Sequence, residues 1–255
     1  QKRLKKIKPS LQMHEMKQGK IAVVVGTRPE AIKMAPVYRA LRDHSDTEAV
    51  LISTGQHGEL LSDTLKKFDL VPDVDLQLMQ KNQTLESLTS RVITAFSEAL
   101  SKLRPSAVLV QGDTTTAMAC ALAAFYEKIG VGHVEAGLRT GNPEAPWPEE
   151  INRRIIAPLA RWHFAPTEFS ATNLRQEGIP NAAIHVTGNT VVDALQYIVA
   201  KHKSTANARE KFVEQTQLNH AFVDKYLAGK SPLVLITAHR RESFGQGIQN
   251  ICLAS

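Results

Sequence analysis

The sequence predicts an α/β protein built around a parallel sheet with helices on both faces. Short apolar segments rich in β-branched residues alternate with longer segments whose apolar residues recur at the helical period. The short segments are apolar throughout, as expected of strands that are covered on both faces. Strands that alternate with helices pair in parallel through right-handed crossovers, so a Rossmann-like class of fold is expected.

The first half of this pattern begins with an apolar strand at residues 21–25, which a glycine ends. Pro29 favours a helix at 29–43, because its missing N–H would be unpaired in a first helical turn in any case. A second strand is predicted from the apolar run at 49–53, and a second helix at 59–68.

The second half begins with the longest predicted helix, at 84–103, whose apolar residues keep the helical period. A buried strand at 107–110 follows, and the small residues of 114–128 predict a helix that packs closely on the sheet. The remaining alternation predicts strands at 132–135, 162–165 and 184–187 and helices at 149–160 and 169–177.

The pattern changes after residue 189 and divides the chain into domains. Residues 190–228 are mostly helical in character, and an apolar strand at 233–237 then resembles the start of the first domain. One strand cannot make a sheet, so we expect a second domain that is begun and not completed. The predicted domains are a basic, disordered tail at 1–19, a Rossmann-like domain at 20–189 and the start of an incomplete Rossmann-like domain at 190–255.

The net charge of +6 comes from one end of the chain. The first 20 residues hold seven basic residues and one acidic residue, and the rest of the chain is balanced. A solvated leader is therefore favoured over a nucleic-acid-binding protein, although such a tail can bind polyanions weakly. No apolar run has the length of a membrane span, and the two cysteines lack metal-ligand spacing, so a cytoplasmic protein without a metal site is expected.

Two cations lie close to the end of the first predicted strand. Arg28 and Lys33 belong to the turn and helix that follow it, and ligands of open α/β sheets bind at the carboxyl ends of the strands. Free N–H groups at a helix start and an arginine together favour phosphate binding. The alternative is a proline-initiated helix with a solvated arginine.

Carboxylates follow two later strands. Asp113 comes after the strand at 107–110, where it is either a functional carboxylate or the N-cap of the next helix. Glu135 ends the strand at 132–135, and a buried carboxylate there needs a partner, for which Arg139 is the candidate.

Two further groups complete the candidate set. Glu149 stands in the first turn of a predicted helix, where the alternative role is simple complementarity to the helix dipole. His239 and Arg240 follow the strand predicted in the second domain, where their cationic groups would face a cleft and a diphosphate. A histidine at a strand end is otherwise a structural residue.

These positions predict one site, since the carboxyl ends of parallel strands share an edge of the sheet. Asp113, Glu135 and Glu149 would meet there beside Arg28 and Lys33. Carboxylates remove and return protons, and cations stabilise a departing phosphate. The set therefore favours a reaction that takes a proton from carbon and releases a phosphorylated group.

The motifs that carry these residues occur in one order along the chain. In that order they resemble the non-hydrolysing UDP-N-acetylglucosamine 2-epimerases: GTRPEAIKMAP (26–36), QGDTTT (111–116), HVEAGLRTGN (133–142), PWPEEINR (146–153), FAPT (164–167), VTGNTVVDAL (186–195) and TAHRRESFG (237–245). The resemblance implies a two-domain fold similar to GT-B glycosyltransferases. It also implies interconversion of UDP-GlcNAc and UDP-ManNAc by elimination of UDP and its re-addition to 2-acetamidoglucal, without a cofactor or metal.

The resemblance also implies residue roles. The expected catalytic residues are Asp113, Glu135, Glu149 and His239, and the expected substrate-binding residues are Arg28, Lys33, Arg139 and Arg240. Gln56 and His57 match an activator site of bacterial members, although Gly58 and Asn82 stand where basic residues are common in the family. Ser243 likewise replaces a usual asparagine.

Two alternatives remain open at this point. A hydrolysing relative would release UDP and free ManNAc instead of UDP-ManNAc. A catalytically inactive binding module is the other, because family members continue past residue 255, and we expect the 255-residue chain by itself to be poorly active. Family members are usually dimers, so the resemblance implies a homodimer.

Overall fold

The computed structural model describes residues 19–56, 58–80, 82–204, 207–227, 234, 236 and 245–254. The chain divides into two compact units, of which the first ends at Lys201 and the second begins at His202. The first unit contains the sheet and every candidate site residue that the structure describes. The second unit, as described, consists of helical segments: α8 (Ala208–Thr216), α9 (His220–Phe222), a π-helical turn (Val223–Leu227) and α10 (Gln246–Ala254).

The first unit is organised around a seven-stranded sheet in the order β3-β2-β1-β4-β5-β6-β7, with every pair parallel. The order reverses between β1 and β4, which is the kind of point where open α/β sheets bind ligands. The predicted Rossmann-like parallel sheet is confirmed. Its strands are β1 (Gly19–Val25), β2 (Thr47–Ser53), β3 (Val74–Asp75), β4 (Ala107–Gln111), β5 (Gly130–Val134), β6 (Ala160–Ala165) and β7 (Ile184–Val186).

Strand β3 is a strand that the sequence did not predict. It has two residues, and it pairs with Ile52 and Ser53 at the edge of the sheet. Such a strand has no apolar run of its own, because its position is fixed by backbone pairing to β2 and by the chain around it. The strand predicted at 233–237 lies largely outside the described residues.

Among the described residues of the first unit, seven helices cover the two faces of this sheet. They are α1 (Arg28–Arg42), α2 (Gly58–Lys67), α3 (Leu85–Leu103), α4 (Thr115–Tyr126), α5 (Glu149–Leu159), α6 (Glu168–Gln176) and α7 (Thr190–Ser204). A 3₁₀ turn (Asn181–Ala183) precedes β7. Among the described residues, no helix is both long and apolar enough to cross a membrane.

Strand β1 shows why its sequence is apolar without alternation. Ala22 and Val24 face the core shared with α3 and α4, whereas Val23 and Val25 face the core shared with α1 and α2. Successive side chains of a strand point to opposite faces, so a strand with helices on both sides must be apolar at every position. The same arrangement places all the loops that follow the strands on one edge, hereafter the carboxyl edge.

Helix α7 belongs to the first unit over most of its length. Arg39 of α1 donates to the Tyr197 hydroxyl at 3.3 Å, and the Lys201 ammonium lies 2.7 Å from the Asp69 carboxylate. The domain boundary predicted after residue 189 stays a prediction.

Candidate active site

The loop between β1 and α1 is closed by a carboxylate. Glu30 is 2% exposed, and its Oε2 accepts the N–H groups of Gly26 at 2.7 Å and Thr27 at 2.6 Å. The Thr114 hydroxyl donates to its Oε1 at 2.5 Å. The helix start was expected to offer free amides to a phosphate, and this expectation is wrong for these two amides, because Glu30 already occupies them.

Burial raises the pKa of Glu30, although hydrogen bonds from Thr114, Gly26 and Thr27 oppose the effect. The residue therefore joins the β1–α1 loop to the loop after β4 through a carboxyl group that is costly to bury unless it is hydrogen-bonded. Gly26 allows the close approach, since a Cβ there would lie 2.4 Å from the Thr54 hydroxyl.

Asp113 follows β4 at a turn in which Gly112 has a φ of 72°. Its carboxylate accepts a hydrogen bond from Arg153, and its main-chain oxygen accepts one from the Asn152 amide at 2.9 Å. The alternative in which Asp113 caps the next helix is wrong. Thr114 is the N-cap of α4, and its hydroxyl oxygen accepts the Ala117 N–H at 3.0 Å.

Glu135 follows β5 in the left-handed region, with a φ of 63°. Its Oε2 accepts hydrogen bonds from Lys33 at 2.5 Å and Gln111 at 2.6 Å, and its Oε1 accepts one from Asn189 at 3.0 Å. Its side chain is 9% exposed. A β-carbon makes the left-handed conformation unfavourable, so three donors hold this carboxylate in a position that the local backbone alone would not prefer.

The predicted partner of Glu135, Arg139, is engaged elsewhere. Its guanidinium donates to both carboxylate oxygens of Glu177, at 2.7 and 2.6 Å. The pairing proposed from the sequence is therefore wrong: the partner of Glu135 is Lys33. Sequence proximity favoured Arg139, whereas the fold brings Lys33 from a helix about one hundred residues earlier.

The two acids at the start of α5 have opposite environments. Glu149 is partly exposed, and its side chain makes no hydrogen bond or ion pair with any other described residue. Glu150 is fully buried and accepts the N–H groups of Thr140 at 3.0 Å and Gly141 at 3.2 Å. Burial raises the pKa of Glu150, but these amides and Arg153 outweigh it, so the pKa is lower than usual.

The remaining predicted residues are dispersed. Arg28 begins α1 and, with Lys67, lines a cavity of about 240 Å³ between α1, α2 and α7. Gln56 accepts a hydrogen bond from Thr116 in the first turn of α4. His57, His239 and Arg240 lie outside the described residues.

A buried histidine supports the Asp113 turn from below. His133 on β5 is 1% exposed, and its Nε2–H donates to the Gly112 carbonyl at 2.7 Å. Burial lowers its pKa to about 3, so the imidazole is neutral near pH 7. Its neighbour on the next strand, His163, is also buried, and burial lowers its pKa to about 4.

The geometry brings the three predicted carboxylates to one edge. Asp113 and Glu135 follow adjacent strands, and a Cβ on Gly112 would lie 3.9 Å from Glu135 Oε2. Glu149 is the first residue of α5, and Asn152 and Arg153 of the same helix donate hydrogen bonds to Asp113. Lys33 supplies a cation at the same place. Within the described part of the chain, no group of His, Cys, Asp and Glu residues is placed to hold a metal ion.

Comparison with known proteins decides the family. Residues 39–254 match the family model described as UDP-N-acetylglucosamine 2-epimerase. The chain belongs to this family. The sequence resemblance that predicted it is thereby confirmed.

Two curated members of the UDP-N-acetylglucosamine 2-epimerase family share nearly half of their aligned residues with this chain. The Neisseria meningitidis enzyme is 48% identical over 235 residues, covering 92% of this chain and 61% of its own length. The Salmonella typhimurium enzyme is 47% identical over 237 residues, covering 92% of this chain and 60% of its own length. The chain therefore spans about three fifths of the length of the curated relatives it matches.

A solved structure of the family matches the fold. The crystal structure of UDP-GlcNAc 2-epimerase from Neisseria meningitidis bound to UDP-GlcNAc superposes with a TM-score of 0.80 at 48% identity. The match covers 92% of this chain and 61% of that chain.

No role was predicted from the sequence for several polar residues of the site. Each stands inside a motif that the family resemblance quoted, but its role depends on a contact between distant segments. They are Glu30, Gln111, His133, Glu150, Asn152, Arg153 and Asn189. The available signal was a polar residue directly before or after an apolar strand, or a run of polar residues in the first turns of a helix.

Proposed function

We propose that this chain carries the carboxylate-bearing domain of an enzyme that interconverts UDP-GlcNAc and UDP-ManNAc. The observation that carries the proposal is the convergence of Asp113, Glu135 and Glu149 with Lys33 on the carboxyl edge. Family membership and the UDP-GlcNAc complex of the Neisseria relative support it. The enzyme class proposed is an isomerase of the non-hydrolysing type.

The chemistry of the proposed reaction needs a carboxylate and a cation. A base removes the proton on C2 of the sugar while the C1–O bond breaks and UDP departs with the electron pair, leaving 2-acetamidoglucal. UDP then adds back to C1, and a proton is delivered to the opposite face of C2. Carboxylates take and return the proton, and cations stabilise the developing charge of the leaving diphosphate.

The three carboxylates are not equivalent in their surroundings. The carboxylates of Asp113 and Glu135 accept hydrogen bonds from side-chain donors, whereas the Glu149 carboxylate makes no hydrogen bond or ion pair with another described residue. All three are proposed to serve proton transfer, with Lys33 and Arg28 as cations for substrate. Kinetics of variants with each carboxylate replaced separately identify the one that takes the proton from C2.

Other parts of the proposal rest on the family resemblance. Arg139 and Arg240 are proposed to bind the substrate, His239 to act as a catalytic residue, and Gln56 and His57 to belong to an activator site. A GT-B-like arrangement of two domains, a homodimer and a cytoplasmic location are proposed on the same ground. No cofactor is proposed.

The test is product analysis. A protein of the relatives' full length that includes this sequence is incubated with UDP-GlcNAc, and the products are separated by chromatography. Accumulation of UDP-ManNAc is expected. Free ManNAc with UDP would instead identify a hydrolysing enzyme, and unchanged substrate would contradict both.

A matched pair of variants checks that the site is the one described. Glu149→Gln is expected to lower kcat by at least about 100-fold, because it removes a proton-transfer group. Glu144→Gln changes an exposed acid in the same loop and should leave kcat as it is. Equal activity of the two variants would remove Glu149 from the mechanism.

A further inference from the structure

Helix α5 buries two consecutive polar residues in its second turn. Asn152 is 5% exposed and Arg153 is 8% exposed. Buried polar and charged groups cost free energy unless they are paired, and here both residues are directed to Asp113. The helix therefore holds the turn after β4 at its carboxylate and at its main-chain oxygen.

Arg153 is itself held in place. Its Nη1 lies 3.4 Å from the carboxylate of Glu150, which is fully buried and accepts the Thr140 and Gly141 amides. Asp113 is more accessible than its partner, since its side chain is 27% exposed and that of Arg153 is 10% exposed. The chain of contacts runs from the loop after β5, through Glu150 and Arg153, to Asp113.

The same helix carries Glu149 as its first residue. One helical turn separates Glu149 from the residues that hold Asp113, so the helix fixes the separation of the two carboxylates. The guanidinium engages Oδ2 of Asp113, and no described residue bonds its Oδ1.

We propose that Arg153 is a positioning residue, which fixes Asp113 in the orientation that the proposed epimerase reaction requires. This inference rests on the proposed function. Arg153 acts through Asp113 and is not itself proposed to touch the substrate. A purely structural salt bridge is a weak alternative account, because a buried ion pair is often no more stabilising than an apolar replacement.

Arg153→Lys is the first test, with Arg154→Lys as its matched control. Arg154 pairs with the same Glu150 at 3.1 Å, but its side chain is 40% exposed. Lysine keeps the charge and loses the fixed fork of donors. We expect Arg153→Lys to lower kcat by about 10- to 100-fold with KM little changed, as small misplacements of reacting groups do. Arg154→Lys should stay within about twofold; equal effects of the two would overturn the proposal.

A double-mutant cycle with Asp113→Asn separates positioning from folding. If Arg153 acts through Asp113, the double variant should have a kcat less than about threefold below that of Asp113→Asn alone. The reason is that substitutions of residues that act as a unit do not have additive effects. Multiplication of the two full effects would overturn the proposal. Thermal melting of each variant confirms that the compared proteins are folded.

Two further measurements keep the test decisive. If Arg153→Lys does not fold, Asn152→Ala removes the other hydrogen bond to Asp113 and should also lower kcat more than KM rises; an unchanged kcat would contradict the proposal.

If the unsubstituted protein shows no epimerisation, the proposed function fails by itself. A crystal structure of Arg153→Lys then decides the positioning claim separately, with a displaced Asp113 carboxylate expected and an unmoved one against it.

Discussion

Glu30 joins two loops of the carboxyl edge through a single buried carboxylate. It accepts two amides of the β1–α1 loop and the hydroxyl of Thr114 before α4. The sequence shows an acid three residues into a helix, which is the pattern of a capping box. What it does not show is that Thr114, eighty-four residues later, supplies the third donor.

Replacement of Glu30 should distinguish its shape from its charge. Glutamine keeps an oxygen for the Gly26 and Thr27 amides and can donate to Thr114, so Glu30→Gln is expected to change the free energy of unfolding by less than about 1 kcal/mol. Glu30→Ala leaves the amides unpaired and should cost about 2 to 3 kcal/mol. Urea denaturation followed by tryptophan fluorescence measures both, and equal losses would contradict the assignment.

The pH dependence of the same variants gives a second result. Because the pKa of Glu30 is raised by burial, the folded protein binds its proton more tightly than the unfolded chain does. Its contribution to stability is present at low pH and is lost as pH rises through the folded pKa. Glu30→Gln should remove this loss, and a pH profile unchanged by the substitution would argue against a raised pKa.

His133 and His163 predict the opposite slope. Burial lowers their pKa values to about 3 and about 4, from an ordinary value of 6.5. The unfolded chain then binds more protons, so stability should fall as pH decreases from 6.5 toward 4, by about 1.4 kcal/mol per pH unit for each imidazole. His163→Leu removes one of these two buried imidazoles and should therefore reduce the slope.

The control for this prediction is the exposed His44. His44→Gln should leave the slope between pH 6.5 and 4 unchanged. If His163→Leu also leaves it unchanged, the buried imidazoles do not cause the acid sensitivity.

Helix α6 is positioned by a glycine in the loop after β5. Gly137 has a φ of 86°, and a Cβ there would lie 2.2 Å from the Ser170 carbonyl oxygen of α6. The Asn173 amide of α6 also donates to the Gly137 carbonyl at 2.9 Å. The loop and the helix are therefore in backbone contact. Any side chain at position 137 would force the loop or the helix to move.

Alanine at two glycines of this loop should separate strain from collision. Gly141 has a similar φ of 79°, but a Cβ there meets nothing within 4 Å. Gly141→Ala should cost about 1 to 2 kcal/mol for the left-handed backbone alone. Gly137→Ala adds overpacking and should cost at least about 1 kcal/mol more. Chemical denaturation measures both, and similar losses would show that the contact with α6 relaxes easily.

The order of helices and strands could be predicted from the sequence because it depends on local patterns. Apolar runs marked β1, β2, β4, β5 and β6, and the helical period marked α3. The two-residue strand β3 could not be predicted, since pairing with β2 creates it. The N-cap of α4 was ambiguous for a similar reason: both Asp113 and Thr114 are good caps, and the contact of Asp113 with Arg153 decides between them.

The position of the candidate site followed from topology, whereas its contacts did not. Parallel strands place Asp113 and Glu135 on one edge in any right-handed α/β sheet. The pairing of Glu135 with Lys33, and of Arg139 with Glu177, depends on how α1 and α6 pack against the sheet. Such long-range partners cannot be read from spacing along the chain.

At the scale of the whole molecule, the proposed reaction rests on family membership and on the carboxyl-edge site. The chain belongs to the UDP-N-acetylglucosamine 2-epimerase family and spans about three fifths of the length of its curated relatives. The described part supplies three carboxylates and Lys33, and the proposal for His239 and Arg240 concerns residues outside it.

Hydrogen exchange at C2 of the sugar tests the central claim most directly. A protein of the relatives' full length that includes this sequence is incubated with UDP-GlcNAc in D2O, and deuterium at C2 is followed by NMR and mass spectrometry. Deuterium is expected at C2 of both UDP-GlcNAc and UDP-ManNAc, with at least about 100-fold slower incorporation in Asp113→Asn than in the exposed control Asp63→Asn. Equal incorporation by the two variants, or epimer formed without deuterium, would contradict proton transfer by this group of carboxylates.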